Sequence, residues 1–181
     1  MTVHIPFATH SGLYDLGNID PQMFELEGIG ASLAKINRYA GRTPQPWSVA
    51  AHSLLVYELA DRKPWALFHD AHESVLGDAT APGMKYAEAV SPSSDVRVGF
   101  DLAKAHLDQS IASAFSLTIE DVYAEDIAAC DAELELFFGI TAPDTKIGFK
   151  ARRLLRGMIE TDLTWQQWGA RWIRAAKPII R

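Results

Sequence analysis

The chain contains one cysteine, Cys130, and lacks several kinds of segment that assign a protein to a class. A single cysteine excludes an intrachain disulfide, which is compatible with a reducing cytosol. No apolar run approaches the length of a membrane span, and the N-terminus has no signal-peptide pattern. The net charge of −6 is not accompanied by a basic run, so a surface for duplex nucleic acid is not expected. A nucleotide substrate is still compatible with this charge, because a metal ion and a few local cations can neutralise phosphates.

The sequence also lacks alternating strand patterns, internal repeats and low-complexity segments. Its 181 residues, of which 48% are hydrophobic, suffice for one domain with a sizeable core. We therefore predict a compact all-α domain over residues 1–181, with an N-terminal arm (1–19), a core bearing the motifs (20–140) and C-terminal helices (145–181). Apolar spacing and capping residues predict helices beginning near Asp20-Pro21, Ser48, Pro64, Phe100, Glu120, Lys150 and Thr164, with an irregular stretch over 77–94.

Ionisable residues interrupt the apolar faces of three of these helices. The segment after Pro64 carries His69 and Asp70 in apolar surroundings, and His52 and Asp131 fall within apolar stripes of their own helices. A buried charge is costly unless it is paired or bound to a metal. Two imidazoles and two carboxylates form a site for a divalent ion, with Mn, Co, Fe, Ni, Zn and Mg as candidates. We therefore predict that His52, His69, Asp70 and Asp131 converge on one ion.

Each of these residues also has an ordinary structural interpretation. A single histidine on an apolar face is more often a hydrogen-bonded core residue than a ligand, and a single aspartate there is usually a cap. Taken from spacing alone, the metal site and these structural roles are about equally supported.

The order of the motifs resembles that of the HD-domain metal phosphohydrolases. The first are Ile36-Asn37-Arg38-Tyr39 and Ser48-Val49-Ala50-Ala51-His52-Ser53, and the next is His69-Asp70-Ala71-His72-Glu73. Gly77-Asp78 and Pro82-Gly83-Met84-Lys85-Tyr86 follow. Within that family the chain resembles the small bacterial 5′-deoxynucleotidases and the bacteriophage dATP triphosphohydrolases. The resemblance extends over roughly residues 20 to 140 and implies a helical HD-type bundle.

The resemblance also implies roles for individual residues. His52, His69, Asp70 and Asp131 would hold one divalent ion, and Glu73 would be the acid/base residue. Asp78 would position the attacking water or the sugar. Phosphate oxygens would be neutralised by Arg38 and Lys85, and Tyr39 would contact the sugar or base. Without the family, each of these could be an ordinary solvated, capping or packing residue.

The chain departs from the family pattern at three points. Position 39 is Tyr where relatives often have Trp, which weakens any inference about the preferred base. His72 stands where many relatives have a small residue. His52 and His69 are 17 residues apart (69 − 52), which is shorter than in the long deoxynucleotidases.

These features predict an enzyme that hydrolyses a small deoxynucleotide in the cytosol of a bacterium or a phage-infected host. The short layout favours a dNTP, with dATP first, releasing deoxynucleoside and triphosphate. A 5′-deoxynucleotidase acting on dNMPs is the alternative within the family. A non-catalytic nucleotide sensor and a signalling phosphodiesterase are alternatives of other classes. We further expect a homo-oligomer that binds neither duplex nucleic acid nor membranes.

Overall fold

The computed structural model describes residues 3–91 and 95–180, and this part of the chain is almost entirely helical. A two-stranded antiparallel hairpin, β1 (Pro6–Ala8) and β2 (Leu13–Asp15), pairs Phe7 with Tyr14. Two 3-10 turns cover Pro21–Met23 and Arg38–Gly41. The helices are α1 (Leu26–Lys35), α2 (Val49–Leu59), α3 (Pro64–Phe68), α4 (Glu73–Leu76), α5 (Ala81–Val90), α6 (Asp95–Ala114), α7 (Tyr123–Phe138), α8 (Lys146–Ile159) and α9 (Trp165–Ala176).

The central element is α2, which is buried on nearly all sides. Val49, Leu55 and Val56 are fully enclosed, and the helix packs against α1, α3, α7, α8 and α9. A helix that is apolar around its whole circumference belongs in a core. Its first turn begins at Ser48, whose hydroxyl accepts a hydrogen bond from the Ala51 amide at 3.2 Å. The fold therefore places His52, one turn into α2, in the middle of the protein.

Helices α1 and α9 pack closely against each other at two glycines. A Cβ at Gly30 would lie 2.6 Å from Ile173 Cγ1, and one at Gly169 would lie 3.2 Å from the Gly30 carbonyl oxygen. The missing side chains let the backbones of α1 and α9 approach closely. Trp172 then reaches the core, where its indole N–H donates to the Leu67 carbonyl at 3.1 Å.

The structure confirms the all-helical class and corrects several predicted boundaries. The predicted helix through His69 is interrupted, because α3 ends at Phe68 and α4 begins at Glu73, with tight turns between them. The stretch predicted to be irregular contains α5, although positions 92–94 lie outside the described residues. The arm contains the hairpin, and Asp20 caps a 3-10 turn ahead of α1. Thr164, which was predicted to begin the last helix, forms a capping box with Gln167 at the start of α9.

No helix among residues 3–91 and 95–180 combines the length and the apolar character needed to cross a bilayer.

Candidate metal centre

Four ionisable side chains from three segments converge beside α2; we call them the central cluster, defined as His52, His69, Asp70 and Asp126. His52 comes from α2, His69 and Asp70 from the turn after α3, and Asp126 from α7. Asp126 Oδ1 lies 3.0 Å from His52 Nε2 and 3.8 Å from His69 Nε2. Asp70 Oδ2 lies 3.7 Å from His52 Nε2 and 3.2 Å from His69 Nε2.

Both histidines direct the same ring nitrogen toward the centre of the cluster. His52 Nδ1 donates to Glu133 Oε1 at 2.7 Å, and His69 Nδ1 donates to the Ala66 carbonyl at 2.9 Å. Each Nε2 therefore faces the carboxylates of the cluster, to which it can donate when protonated, and is the nitrogen that would bind a metal once deprotonated. His69 Nε2 is buried and has no hydrogen-bond partner. An unsatisfied buried nitrogen is unfavourable, which makes it a natural position for an ion.

The donor set fits a divalent ion. His52, His69 and Asp126 each offer a ligand atom within 4.8 Å of the others, and Asp70 adds a carboxylate within 3.7 Å of both imidazoles. Two nitrogens and two carboxylate oxygens suit a first-row divalent ion and leave coordination positions open on an octahedral one. The ligand atoms of the central cluster therefore suit a divalent ion. Nitrogen and oxygen donors of this kind do not select one metal.

The fourth member of this cluster is Asp126, which corrects the prediction of Asp131. The prediction assumed that the stripe containing Ile127 and Phe138 faces the core, but these side chains are 41% and 39% exposed. The face of α7 toward the cluster carries the fully buried Ala129 and Glu133, together with Asp126, whose side chain is 32% exposed. Asp131 lies five residues, or about 140°, from Asp126 around the helix. It is half-buried and belongs to none of the ligand groups found among the described residues.

Burial and close contact shift the pKa values of the residues in the central cluster. Burial alone would lower the pKa of His69, but the carboxylates of Asp70 and Asp126 raise it to about 10. Burial likewise acts to raise the pKa of Asp70 and Asp126, and the neighbouring imidazoles hold both values below the usual range. In the absence of an ion, the cluster is thus held together by imidazole–carboxylate attraction, which a cation would replace.

Arg38 lies against the cluster on a strained turn. Its Nη1 is 3.7 Å from Asp70 Oδ2, and its side chain is 11% exposed. The Arg38 amide donates to the Trp47 carbonyl at 2.9 Å, which ties the turn to the start of α2. The next two residues, Tyr39 and Ala40, have φ of 56° and 52°, a region that residues with a Cβ rarely occupy. Such strain is typical of functional turns.

Glu133 organises the inner side of the site. Its carboxylate is fully buried and accepts hydrogen bonds from four side chains. Burial acts to raise its pKa, but Arg38 and His52 lower it to about 2. Glu133 therefore remains ionised. The donors are Arg38 Nε (3.0 Å), the Tyr39 hydroxyl (2.9 Å), Trp47 Nε1 (2.7 Å) and His52 Nδ1 (2.7 Å).

Glu73 and Asp78 lie on the outer side of the site. Glu73 Oε2 is buried without a hydrogen-bond partner. Burial and the nearby Asp70 and Asp78 charges raise the pKa of Glu73 to about 9. Burial also raises the pKa of Asp78, which accepts a hydrogen bond from the Tyr39 amide. Glu73 is therefore protonated at neutral pH in the metal-free site, as a general acid must be.

Of the two remaining residues predicted to contact the substrate, Tyr39 lies at the site and Lys85 does not contact it. Tyr39 is half-buried, bonded to Glu133 and packed 5.2 Å from the Phe138 ring. Lys85 is exposed on α5, a helix with no buried residue, and no hydrogen bond or ion pair found in residues 3–91 and 95–180 joins it to the cluster. The fold thus brings Arg38, Tyr39 and Asp78 to the site. Lys85 is close to the motifs in sequence, but no contact among the described residues joins it to the site.

His72, which departs from the family pattern, lies beside the central cluster. It is 3% exposed, and its Nδ1 lies 2.9 Å from Asp108 Oδ1 on α6. Asp70, His72 and Glu73 also hold ligand atoms within 4.8 Å of one another. The His72–Asp108 pair fastens α6 to the turn that carries His69 and Asp70.

The comparisons with known proteins identify one relative and no function. No family model matches the chain. The chain is 34% identical over 150 residues to an uncharacterized protein of Rhodobacter capsulatus. The match covers 71% of this chain and 76% of the relative, so it includes most of both proteins. The chain therefore belongs to the same protein family as this Rhodobacter capsulatus protein.

Proposed function

We propose that this protein is an HD-type, metal-dependent phosphohydrolase that acts on a small deoxynucleotide. The observation that carries the proposal is the convergence of His52 Nε2, His69 Nε2, Asp70 and Asp126 around a point where a buried imidazole nitrogen lacks a partner. The motif order Arg38, His52, His69-Asp70, Glu73 and Asp78, together with the resemblance it bears, supports hydrolysis over simple metal storage.

The four cluster residues would hold the ion. When bound, a divalent ion at this position polarises a phosphoryl oxygen and lowers the pKa of a water molecule. Arg38 would bind the oxygens of the phosphate under attack chiefly through Nη1, which faces the cluster, because Nε donates to Glu133 and Nη2 to Cys130 Sγ. Asp78 would orient the attacking water.

Glu73 would supply the proton that the leaving group needs. Water attacks the phosphorus bonded to the 5′ oxygen, the bond from phosphorus to that oxygen breaks, and the oxygen takes a proton from the Glu73 carboxyl. The burial of the Glu73 carboxyl and the lack of a partner at its Oε2 support this role, because both disfavour the ionised form, which has no proton to give. The products are a nucleoside with a free 5′ hydroxyl and the intact phosphate chain.

A dNTP, with dATP first, is the substrate that the overall resemblance favours. The charge of the site favours a second candidate, a dNMP. Among the described residues, Arg38 is the one cation found in contact with the central cluster, and a triphosphate presents more negative charge than one guanidinium and one ion neutralise. The reaction is the same for both, so the phosphate product distinguishes them.

The decisive experiment incubates purified protein with each dNTP, each dNMP and cyclic nucleotides, with Mn²⁺ or Co²⁺, in water enriched in ¹⁸O. We expect ¹⁸O-labelled triphosphate and unlabelled deoxynucleoside from a dNTP, because water attacks phosphorus. Labelled inorganic phosphate from dNMPs alone would assign the 5′-deoxynucleotidase activity. The Asp126→Asn variant is the matched control for contaminating phosphatases. Metal-dependent nucleotide binding without turnover would contradict hydrolysis and identify a sensor.

A further inference from the structure

One carboxylate, that of Glu133, joins the two halves of the site. Its Oε1 accepts from His52 Nδ1 and from the Trp47 indole, both at 2.7 Å. Its Oε2 accepts from Arg38 Nε at 3.0 Å and the Tyr39 hydroxyl at 2.9 Å. Well-packed apolar residues often stabilise a core as well as a buried ion pair does, so stability alone gives weak reason for this arrangement.

We infer that Glu133 is a positioning residue that fixes the His52 metal ligand and the Arg38 anion-binding group relative to each other; this role rests on the proposed metal-dependent function. By accepting a hydrogen bond from His52 Nδ1–H, Glu133 sets the ring so that Nε2 faces the cluster. By accepting from Arg38 Nε, it directs Nη1 toward Asp70, 3.7 Å away, and Nη2 toward Cys130, 3.1 Å away.

The geometry makes the two effects inseparable. Arg38 is on the strained turn before α2, His52 is in α2, and Glu133 approaches both from α7. A displacement of either donor pulls on the same carboxylate. The metal ligand and the anion-binding guanidinium therefore move as one unit, so the ion and the phosphate oxygen meet at a fixed separation.

The test replaces Glu133 by Gln and uses Trp47→Phe as the matched control. Trp47→Phe removes one donor to the carboxylate and leaves the partner of His52 and Arg38 intact, whereas Glu133→Gln removes the charge and replaces an oxygen that accepts two hydrogen bonds by an NH2 group. Mn²⁺ affinity is measured by calorimetry without nucleotide. We expect Glu133→Gln to weaken Mn²⁺ binding by about 10–100-fold, the usual effect of losing the group that orients a ligand. Trp47→Phe should lower the melting temperature but keep Mn²⁺ affinity within about threefold of the wild type.

Kinetics at saturating Mn²⁺ then test the Arg38 half. Glu133→Gln should raise KM for the nucleotide by a larger factor than it lowers kcat, since its effect is on binding geometry. Unchanged Mn²⁺ affinity in Glu133→Gln, or an equal loss in Trp47→Phe, would overturn the inference, because a purely structural residue acts through stability.

A second measurement uses the wild-type protein, in case Glu133→Gln does not fold. In ¹⁵N-labelled, Zn²⁺-loaded protein, His52 should show a slowly exchanging Nδ1–H and a metal-bound Nε2. Coordination through Nδ1, or rapid exchange of that proton, would overturn the role of Glu133. The outcomes separate from those of the proposed function: a protein that binds Mn²⁺ but hydrolyses no nucleotide refutes the hydrolase and leaves the Mn²⁺-affinity test of Glu133 intact.

Discussion

The inner and outer sides of the site differ in how completely their polar groups are satisfied. On the inner side, the side chains of Trp47, His52 and Glu133 are at most 1% exposed, and Trp47 and His52 both donate hydrogen bonds to the Glu133 carboxylate. On the outer side, Glu73 has a buried carboxyl oxygen without a hydrogen-bond partner. The inner side is complete without a ligand, whereas the outer side is complete only when something binds. The inner side would thus hold the site in place, and the outer side would carry the proposed chemistry.

The largest expected effect lies between the two sides, at Asp126. Asp126→Ala removes a carboxylate 3.0 Å from His52 Nε2, so the protein should lose bound Mn²⁺ and turnover together. Metal content is measured after gel filtration. Asp131→Ala is the control on the same helix and should keep both properties. Retention of metal by Asp126→Ala, with loss in Asp131→Ala, would restore the ligand set predicted from the sequence.

This pair also shows where the sequence was sufficient and where it was not. Helical periodicity and the motif order were enough to predict His52, His69 and Asp70 as an inward cluster, which the structure brings together. The phase of α7 was not predictable, because its large apolar residues Ile127 and Phe138 are substantially exposed while its buried face is built from small alanines. An apolar stripe of large side chains normally predicts the buried face of a helix, and in α7 it marks an exposed one.

Glu133 could not be found from the sequence for a related reason. Glutamate is almost never fully buried unless it is paired, and its four donors come from positions 81 to 95 residues away along the chain. Pairing at such separations is a property of the tertiary fold alone. The interruption between α3 and α4 was likewise hidden, because the turn residues His69 and His72 keep helical dihedral angles.

The next effect tests the chemistry assigned to the outer side. Glu73→Gln keeps the shape of the side chain but removes its proton, so kcat should fall by about 10²–10⁴-fold, the range of general acid–base catalysis. Mn²⁺ affinity and nucleotide affinity should change little, because Glu73 is outside the four proposed ligands. The comparison uses steady-state kinetics with calorimetry on the same preparation. An unchanged kcat would make Glu73 a structural residue.

A smaller effect is expected at Lys85. An exposed charge contributes at most about 1 kcal/mol, so Lys85→Met should lower kcat/KM for dATP by less than about fivefold. The loss should be larger for dATP than for dAMP, since the triphosphate carries more charge, and should shrink at high salt. Kinetics at two ionic strengths measure both trends. A loss of a hundredfold would place Lys85 inside the site and contradict its exposed position.

A last prediction concerns the stability of the fold rather than activity. In the unfolded chain Glu73 ionises near pH 4.5, whereas the folded, metal-free protein keeps its proton to about pH 9. The unfolded state therefore binds fewer protons between these values, and this group makes stability fall as pH rises. Glu73→Gln lacks that loss, so its melting temperature in a chelator should exceed the wild type's by more at pH 8 than at pH 5. A difference independent of pH would show that Glu73 is already ionised.

The bond from Trp172 to Leu67 has a consequence for how the protein is made. Trp172 packs 5.0 Å from the Phe68 ring and donates to the carbonyl two residues before His69. The turn that carries His69 and Asp70 is therefore supported by a residue that is synthesised after all four members of the central cluster. A nascent chain holds His52, His69, Asp70 and Asp126 well before it holds Trp172. The final geometry of the proposed ion site would thus depend on synthesis of α9, and chains truncated before α9 should bind Mn²⁺ more weakly than the full chain.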